Sequence, residues 1–182
     1  MEQRYRYLEH MTDLVIEAYG NNIAECFENS AIATIDAMFD ISKVESKNKV
    51  RIIATGFDLK SLLYDWIEKI LLAIYVDKLV IHSFEYVDLI QNIKEDQVIK
   101  KKIISLSKDK INKPSIELEN TLFDLISNES DTTLMIEAIG IGEPPNILKH
   151  DYKVEVKSIT YHEMDIRFDN NIGYIFKFLL DL

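Results

Sequence analysis

Residues 155–166, EVKSITYHEMDI, alternate apolar and polar side chains with the two-residue period of a strand, yet crowd Lys157, His162 and Glu163 together. A turn-forming stretch, DNNIG (169–173), follows, and then a second apolar run, YIFKFLLDL (174–182). Strands joined by so short a turn pair antiparallel. Upstream, TLMIEAIG (133–140) is another strand, and IGEPPNILKHDY (141–152) reads as the loop that joins it to the quoted one. The C-terminal part of the chain is therefore a run of antiparallel strands.

The N-terminal half brings helices. In DLVIEAYG (13–20), Leu14, Ile16 and Ala18 alternate with Val15, Glu17 and Tyr19, a strand closed by Gly20. Asn22 is placed to cap a helix, with Glu25 as its capping-box partner. In IAECFENSAIATIDAMF (23–39), Ile23, Phe27, Ala31, Ile35 and Met38 recur at helical spacing, which predicts an amphipathic helix. VRIIATG (50–56) is a strand. Asp58 caps a second helix, with the stripe Leu59, Leu62, Leu63, Trp66, Ile67, Ile70, Leu71 and Ile74. KLVIHSFEYVDLI (78–90) returns to an extended pattern. The order predicts a single α+β domain over residues 1–182: a mixed, largely antiparallel sheet packed against two main helices. Residues of about 92–132 interrupt it. IKEDQVIKKKIISLSKDKINK is lysine-rich, and PSIELENTLFDLISNESD has helical spacing between turn formers, so this stretch reads as an insertion.

Composition narrows the function. Apolar residues make up 47% and charged residues 29% of 182, which suits a globular chain with a sizeable core. The single cysteine, Cys26, excludes an intramolecular disulfide and a cysteine-cluster zinc site. No apolar run approaches the roughly 20 residues of a membrane span, and MEQRYRYLEH lacks the apolar segment of a secretory signal. These features point to a soluble cytoplasmic protein. A net charge of −10 disfavours strong direct nucleic-acid binding and suits divalent cations or a basic protein partner; it also serves solubility alone.

Familiar catalytic motifs are missing. The sequence has no phosphate loop, no G-x-G-x-x-G and no G-x-S-x-G. Cys26 sits on a helical stretch without an identifiable base, and His82 and His150 stand alone. What remains is carboxylates in unusual places. Asp13 opens the first strand, Asp181 is penultimate, and Leu182 would carry the terminal carboxylate on the folded body. Brought together by adjacent strands, these oxygens would suit a hard cation such as calcium, magnesium or manganese. Alternatively, Asp13 caps a turn and Asp181 is simply solvated.

The stretches YLEHMTDLVIEAYG (7–20), AECFENSAIATIDAMFDISKVE (24–45), DLKSLLYDWIEKIL (58–71), KSITYHEMDI (157–166) and the final Asp181-Leu182 together resemble the archease family, in register over residues 5–90 and 133–182. The family's E-H-T-A-D opening appears here as Glu9-His10-Met11-Thr12-Asp13, which keeps the spacing of His10 and Asp13. The 92–132 insertion exceeds the usual family length. The resemblance implies an archease-like fold and a cytoplasmic accessory protein, not an enzyme. Such a protein activates an RtcB-type RNA ligase in tRNA splicing by promoting ligase guanylylation and multiple turnover. An alternative role is a chaperone or specificity modulator of tRNA-modifying enzymes, such as a tRNA methyltransferase. It also implies metal ligands at Asp13, Asp181 and Leu182, with calcium in family structures and magnesium or manganese as other candidates. Lys157, and less directly His162, Glu163 and His10, would serve nucleotide or partner contact. Alternation puts Lys157 and Glu163 on one face, about 20 Å apart, and His162 on the other, so no single small site holds all three unless a bulge intervenes.

Overall fold

The structure is a computed structural model and describes residues 3–8, 12–95, 98–106 and 132–182. The strands are β1 (Tyr5–Leu8), β2 (Leu14–Gly20), β3 (Asn48–Gly56), β4 (Val80–Glu95), β5 (Val98–Leu106), β6 (Thr132–Glu143), β7 (Ser158–Asp169) and β8 (Gly173–Asp181). The helices are α1 (Ile23–Met38) and α2 (Leu59–Tyr75). The chain is α+β as its pattern predicts. The strands distribute over two four-stranded sheets, β1-β2-β8-β7 and β3-β6-β4-β5, rather than one, and the paired strands run antiparallel throughout.

The helix starts follow from their caps. The Asn22 side chain accepts the Glu25 N–H at 2.8 Å, while the Glu25 carboxylate turns back to the Asn21 backbone N–H at 2.7 Å. Asp58 and Ser61 form a reciprocal capping box at the start of α2. α1 packs on both β2 and β4, and α2 on both β3 and β7, so the helices tie the two sheets together. α1 differs from the amphipathic reading, because only Glu25 and Asp36 escape full burial. Its polar residues are satisfied inside: Asn29 Nδ2 donates to Tyr19 O at 2.7 Å, Ser30 to Cys26 O at 2.7 Å and Thr34 to Ser30 O at 2.9 Å. One core joins Ile16, Phe176, Phe178 and Leu180 of the first sheet to Ile52, Val87 and Ile136 of the second, around Phe27, Trp66 and Ile70. Each such side chain contributes on the order of 1.5–3 kcal/mol on burial.

The lysine-rich start of the predicted insertion is a hairpin arm, since β4 runs on to Glu95 and pairs with β5. Residues 107–131, where helical spacing was read, lie outside the described residues, as does His10.

Candidate functional site at the β2–β8–β7 end

Antiparallel register assembles the acidic end. β2 and β8 pair up to Leu14↔Leu180, so one further step brings Asp13 and Asp181 to adjacent positions. β7 and β8 pair up to Ser158↔Asp181, which brings Lys157 to the same end. The neighbours inward are core residues, Leu180 and Ile159, whose burial fixes the strands from below. Lys157 is bound twice here: its backbone N–H donates to Asp181 O at 2.9 Å, and Nζ donates to Leu182 O at 2.7 Å. Thr12 Oγ1 donates to Asp13 Oδ2 at 3.0 Å. Leu182 is half-buried against the core, whereas Asp181 and Lys157 are exposed.

The donors gathered here are all oxygen: two carboxylates and the Leu182 main-chain oxygen. Among the described residues no group of three or more His, Cys, Asp or Glu side chains could hold a metal. A cation here would therefore draw on Leu182 and on water for the rest of its shell. That chemistry fits a hard divalent ion, which takes six or more oxygens and tolerates water among them. The Lys157 ammonium already occupies the Leu182 oxygen with a hydrogen bond.

The other predicted residues separate. β7 bulges: Thr160 pairs with Leu179 and Asp165 with Lys177, so residues 161–164 stand opposite Phe178 alone. The strict alternation predicted for this stretch fails there. Glu163 adopts the left-handed region at φ 56°, and its carboxylate accepts from Lys177 Nζ at 2.8 Å, away from the acidic end. His162 is exposed, and its N–H donates to Thr160 Oγ1 at 3.1 Å.

The remaining polar candidates are structural. The buried Cys26 thiol donates to Tyr174 O at 3.2 Å, and burial pushes its ionisation well above the usual thiol range. His150 is fully buried. Its Nδ1 accepts the Asn146 N–H at 3.1 Å, which leaves Nε2 to donate to Glu143 at 3.1 Å. Glu143 also receives Lys149 and Lys47, whose hydrogen bonds hold its carboxyl far below the ordinary range.

Sequence reading missed a second polar centre. Glu17, buried on the face of β2 opposite the core, accepts Arg6 Nη2 at 2.6 Å, Tyr19 Oη at 2.9 Å and Arg167 Nη2 at 2.9 Å. Burial works to raise its carboxyl, but the hydrogen bonds from Arg167, Arg6 and Tyr19 prevail and hold it below the usual value. The available signal was a carboxylate within an otherwise apolar strand, which needs cationic partners. The ring stack between Tyr64 and Tyr161 left no such signal, because it joins a helix to a bulge.

Comparison with known proteins assigns the family. The family model described as "Archease protein family (MTH1598/TM1083)" matches residues 5–117 and 114–182. Similar curated relatives are the protein archease of Sulfurisphaera tokodaii, 33% identical over 180 residues and 99% of both chains, and that of Sulfolobus acidocaldarius, 31% identical over 98% of this chain and 99% of the relative. The solution structure of Methanobacterium thermoautotrophicum protein 1598 shares the fold, with a TM-score of 0.64 and 24% identity over 98% of this chain and 99% of that one. Among the described residues no helix is long and apolar enough to cross a membrane. With the family model spanning nearly all of it, the chain belongs to the archease family.

Proposed function

We propose that this protein is a cytoplasmic, metal-binding accessory factor that activates an RtcB-type RNA ligase in tRNA splicing, without being a ligase itself. The reading rests on family membership, and the observation that carries it is the register bringing Asp13 beside Asp181 and Leu182. In this reading Asp13, Asp181 and the Leu182 oxygen hold a divalent cation such as calcium, magnesium or manganese, which supplies positive charge for phosphate oxygens at the ligase's guanylylation centre. Lys157 holds its own ammonium at Leu182 O and, being exposed, can turn to an anionic group of the partner. The chain's net charge of −10 suits a protein that leaves the RNA to the ligase.

The test is ligase guanylylation and RNA joining over many turnovers, with wild type, Asp13→Ala and Asp181→Ala, and with chelator and added calcium, magnesium or manganese. Wild type should accelerate both steps, and each variant should lose the stimulation while keeping its thermal transition. Unchanged stimulation by both variants would defeat the metal-dependent reading and leave a modulator acting through its binding surface.

A further inference from the structure

The bulge in β7 carries more than its own irregularity. A non-glycine residue in the left-handed region costs on the order of 1–3 kcal/mol, and Glu163 holds that conformation at φ 56°. Tyr161 opens the bulged segment. Its ring lies on Tyr64 of α2, with centroids 4.7 Å apart and planes 5° from parallel, yet Tyr161 remains 53% exposed. One ring face is covered by Tyr64. Phe57, just before the cap of α2, is 75% exposed.

The carboxylates that act on Tyr161 are Asp58 and Asp65, the latter shared with Lys69 one turn on, Oδ1 to Nζ 3.6 Å. Burial, followed by the carboxylates of Asp58 and Asp65, raises the Tyr161 phenol, so it stays protonated at neutral pH. An aromatic face beside two carboxylates attracts a cation through both the ring quadrupole and the net field. The same carboxylates repel phosphate, which disfavours a stacked base of single-stranded RNA. The surface also continues into the acidic end: Tyr161 follows Ser158, the partner of Asp181, by three residues, about 10 Å along a strand. A basic protein surface can meet both at once.

We propose that the Tyr64–Tyr161 stack, with Asp58 and Asp65 beside it, is a docking surface for an arginine or lysine side chain of a basic protein partner. Identifying that partner with the ligase rests on the function proposed above.

The experiment measures affinity of wild type, Tyr161→Phe, Tyr161→Leu and Asp65→Asn for the ligase by calorimetry, alongside ligase stimulation. A Gly-Arg-Gly-Arg-Gly peptide, titrated by NMR, is a probe independent of the ligase. Tyr161→Phe keeps the ring and should bind within twofold of wild type. Tyr161→Leu should weaken binding by about 2- to 30-fold, the range of a cation–π contact. Asp65→Asn retains an acceptor for the Thr55 N–H, which it receives at 2.8 Å, so it should fold normally and show a weaker salt dependence of binding. Stimulation by wild type, with ligase and peptide affinity both insensitive to Tyr161, overturns the docking surface and leaves the functional reading standing. Tyr161-dependent peptide binding without ligase stimulation overturns the functional reading and keeps the surface. Binding to neither probe overturns both. Tyr161-dependent binding of a single-stranded oligonucleotide, with ligase affinity unchanged, would make the stack a base platform and overturn the proposal.

Discussion

Two glycines on β6 give a controlled test of the packing argument. Gly142 lies between Asn48 of β3 and Ile81 of β4, and a Cβ added there would fall 1.9 Å from Val80 O and 2.9 Å from Ile81 Cα. These are backbone atoms, so no rotamer change relieves the clash; the β4 strand itself must move. At Gly140 the nearest atom would be Ile81 Cδ1 at 2.8 Å, the far end of a flexible side chain. Overpacking costs about 1–3 kcal/mol, and replacing glycine by alanine returns about 0.4–1 kcal/mol through the unfolded chain. Gly142→Ala, at the top of that cost, should therefore lose about 2–2.6 kcal/mol and Gly140→Ala, at the bottom, about 0–0.6 kcal/mol. A difference near 2 kcal/mol corresponds to about 4–8 °C in Tm for a chain of this size. In urea, with a slope near 2 kcal/mol/M, it corresponds to about 1 M in midpoint. Urea titration and thermal melts followed by far-UV circular dichroism read both. Equal stability of the two variants, or Gly142→Ala the more stable, would refute the close-approach reasoning.

Two further predictions concern buried polar groups. Lys149 and Lys47 depress the Glu143 carboxyl, so its contribution is fully present above the unfolded value of about 4.3 and is lost as pH falls towards the lower folded value. The stability gap between wild type and Glu143→Gln should be level from pH 7 to about 5 and shrink below about 4.3; a gap that stays level to pH 3 in urea titrations contradicts the ion-pair account. Trp66, fully buried, donates its indole N–H to Phe27 O at 2.8 Å. Trp66→Phe should cost about 1–3 kcal/mol by urea titration, from the lost bond and part of the ring, and a loss under about 0.5 kcal/mol would mean that the bond contributes nothing net.

Local signals in the sequence were reliable where the backbone obeys one period. Asn22 and Asp58 mark the helix starts, and the strands read at residues 13–20 and 174–182 stand as β2 and β8. Pairing partners were not legible. The division into two sheets depends on β6 lying between β3 and β4, and nothing in the local pattern of residues 133–140 selects that place. β1 is only four residues, and its tyrosines face α1 through hydroxyls: Tyr5 bonds Asp36 at 3.1 Å and Tyr7 bonds Ala33 O at 3.0 Å. Its stabilising contacts thus come from a helix far along the chain. α1 reads as amphipathic because Asn29, Ser30 and Thr34 look solvent-facing, whereas backbone oxygens satisfy them in the interior. The lysines of 100–102 hid β5, since charge on an outer strand resembles a solvated insertion.

The candidate site shows the same division. Residue types named Asp13, Asp181 and Lys157, but their meeting depends on the β2–β8–β7 register, which buried neighbours set: Leu180 and Ile159 are at most 2% exposed. A one-residue slip would turn those side chains outward and the aspartates inward, so the core that stabilises the sheet also fixes the site. The bulge at 161–164 interrupts that register. Tyr161, at its start, keeps the face of Ile159, the side on which α2 packs. Its ring lies on Tyr64 of α2, and beyond the bulge Ile166 and Phe168 return to their places opposite Phe176 and Tyr174. One strand thus keeps its buried face on both sides of the irregularity and still presents an aromatic surface next to the acidic end.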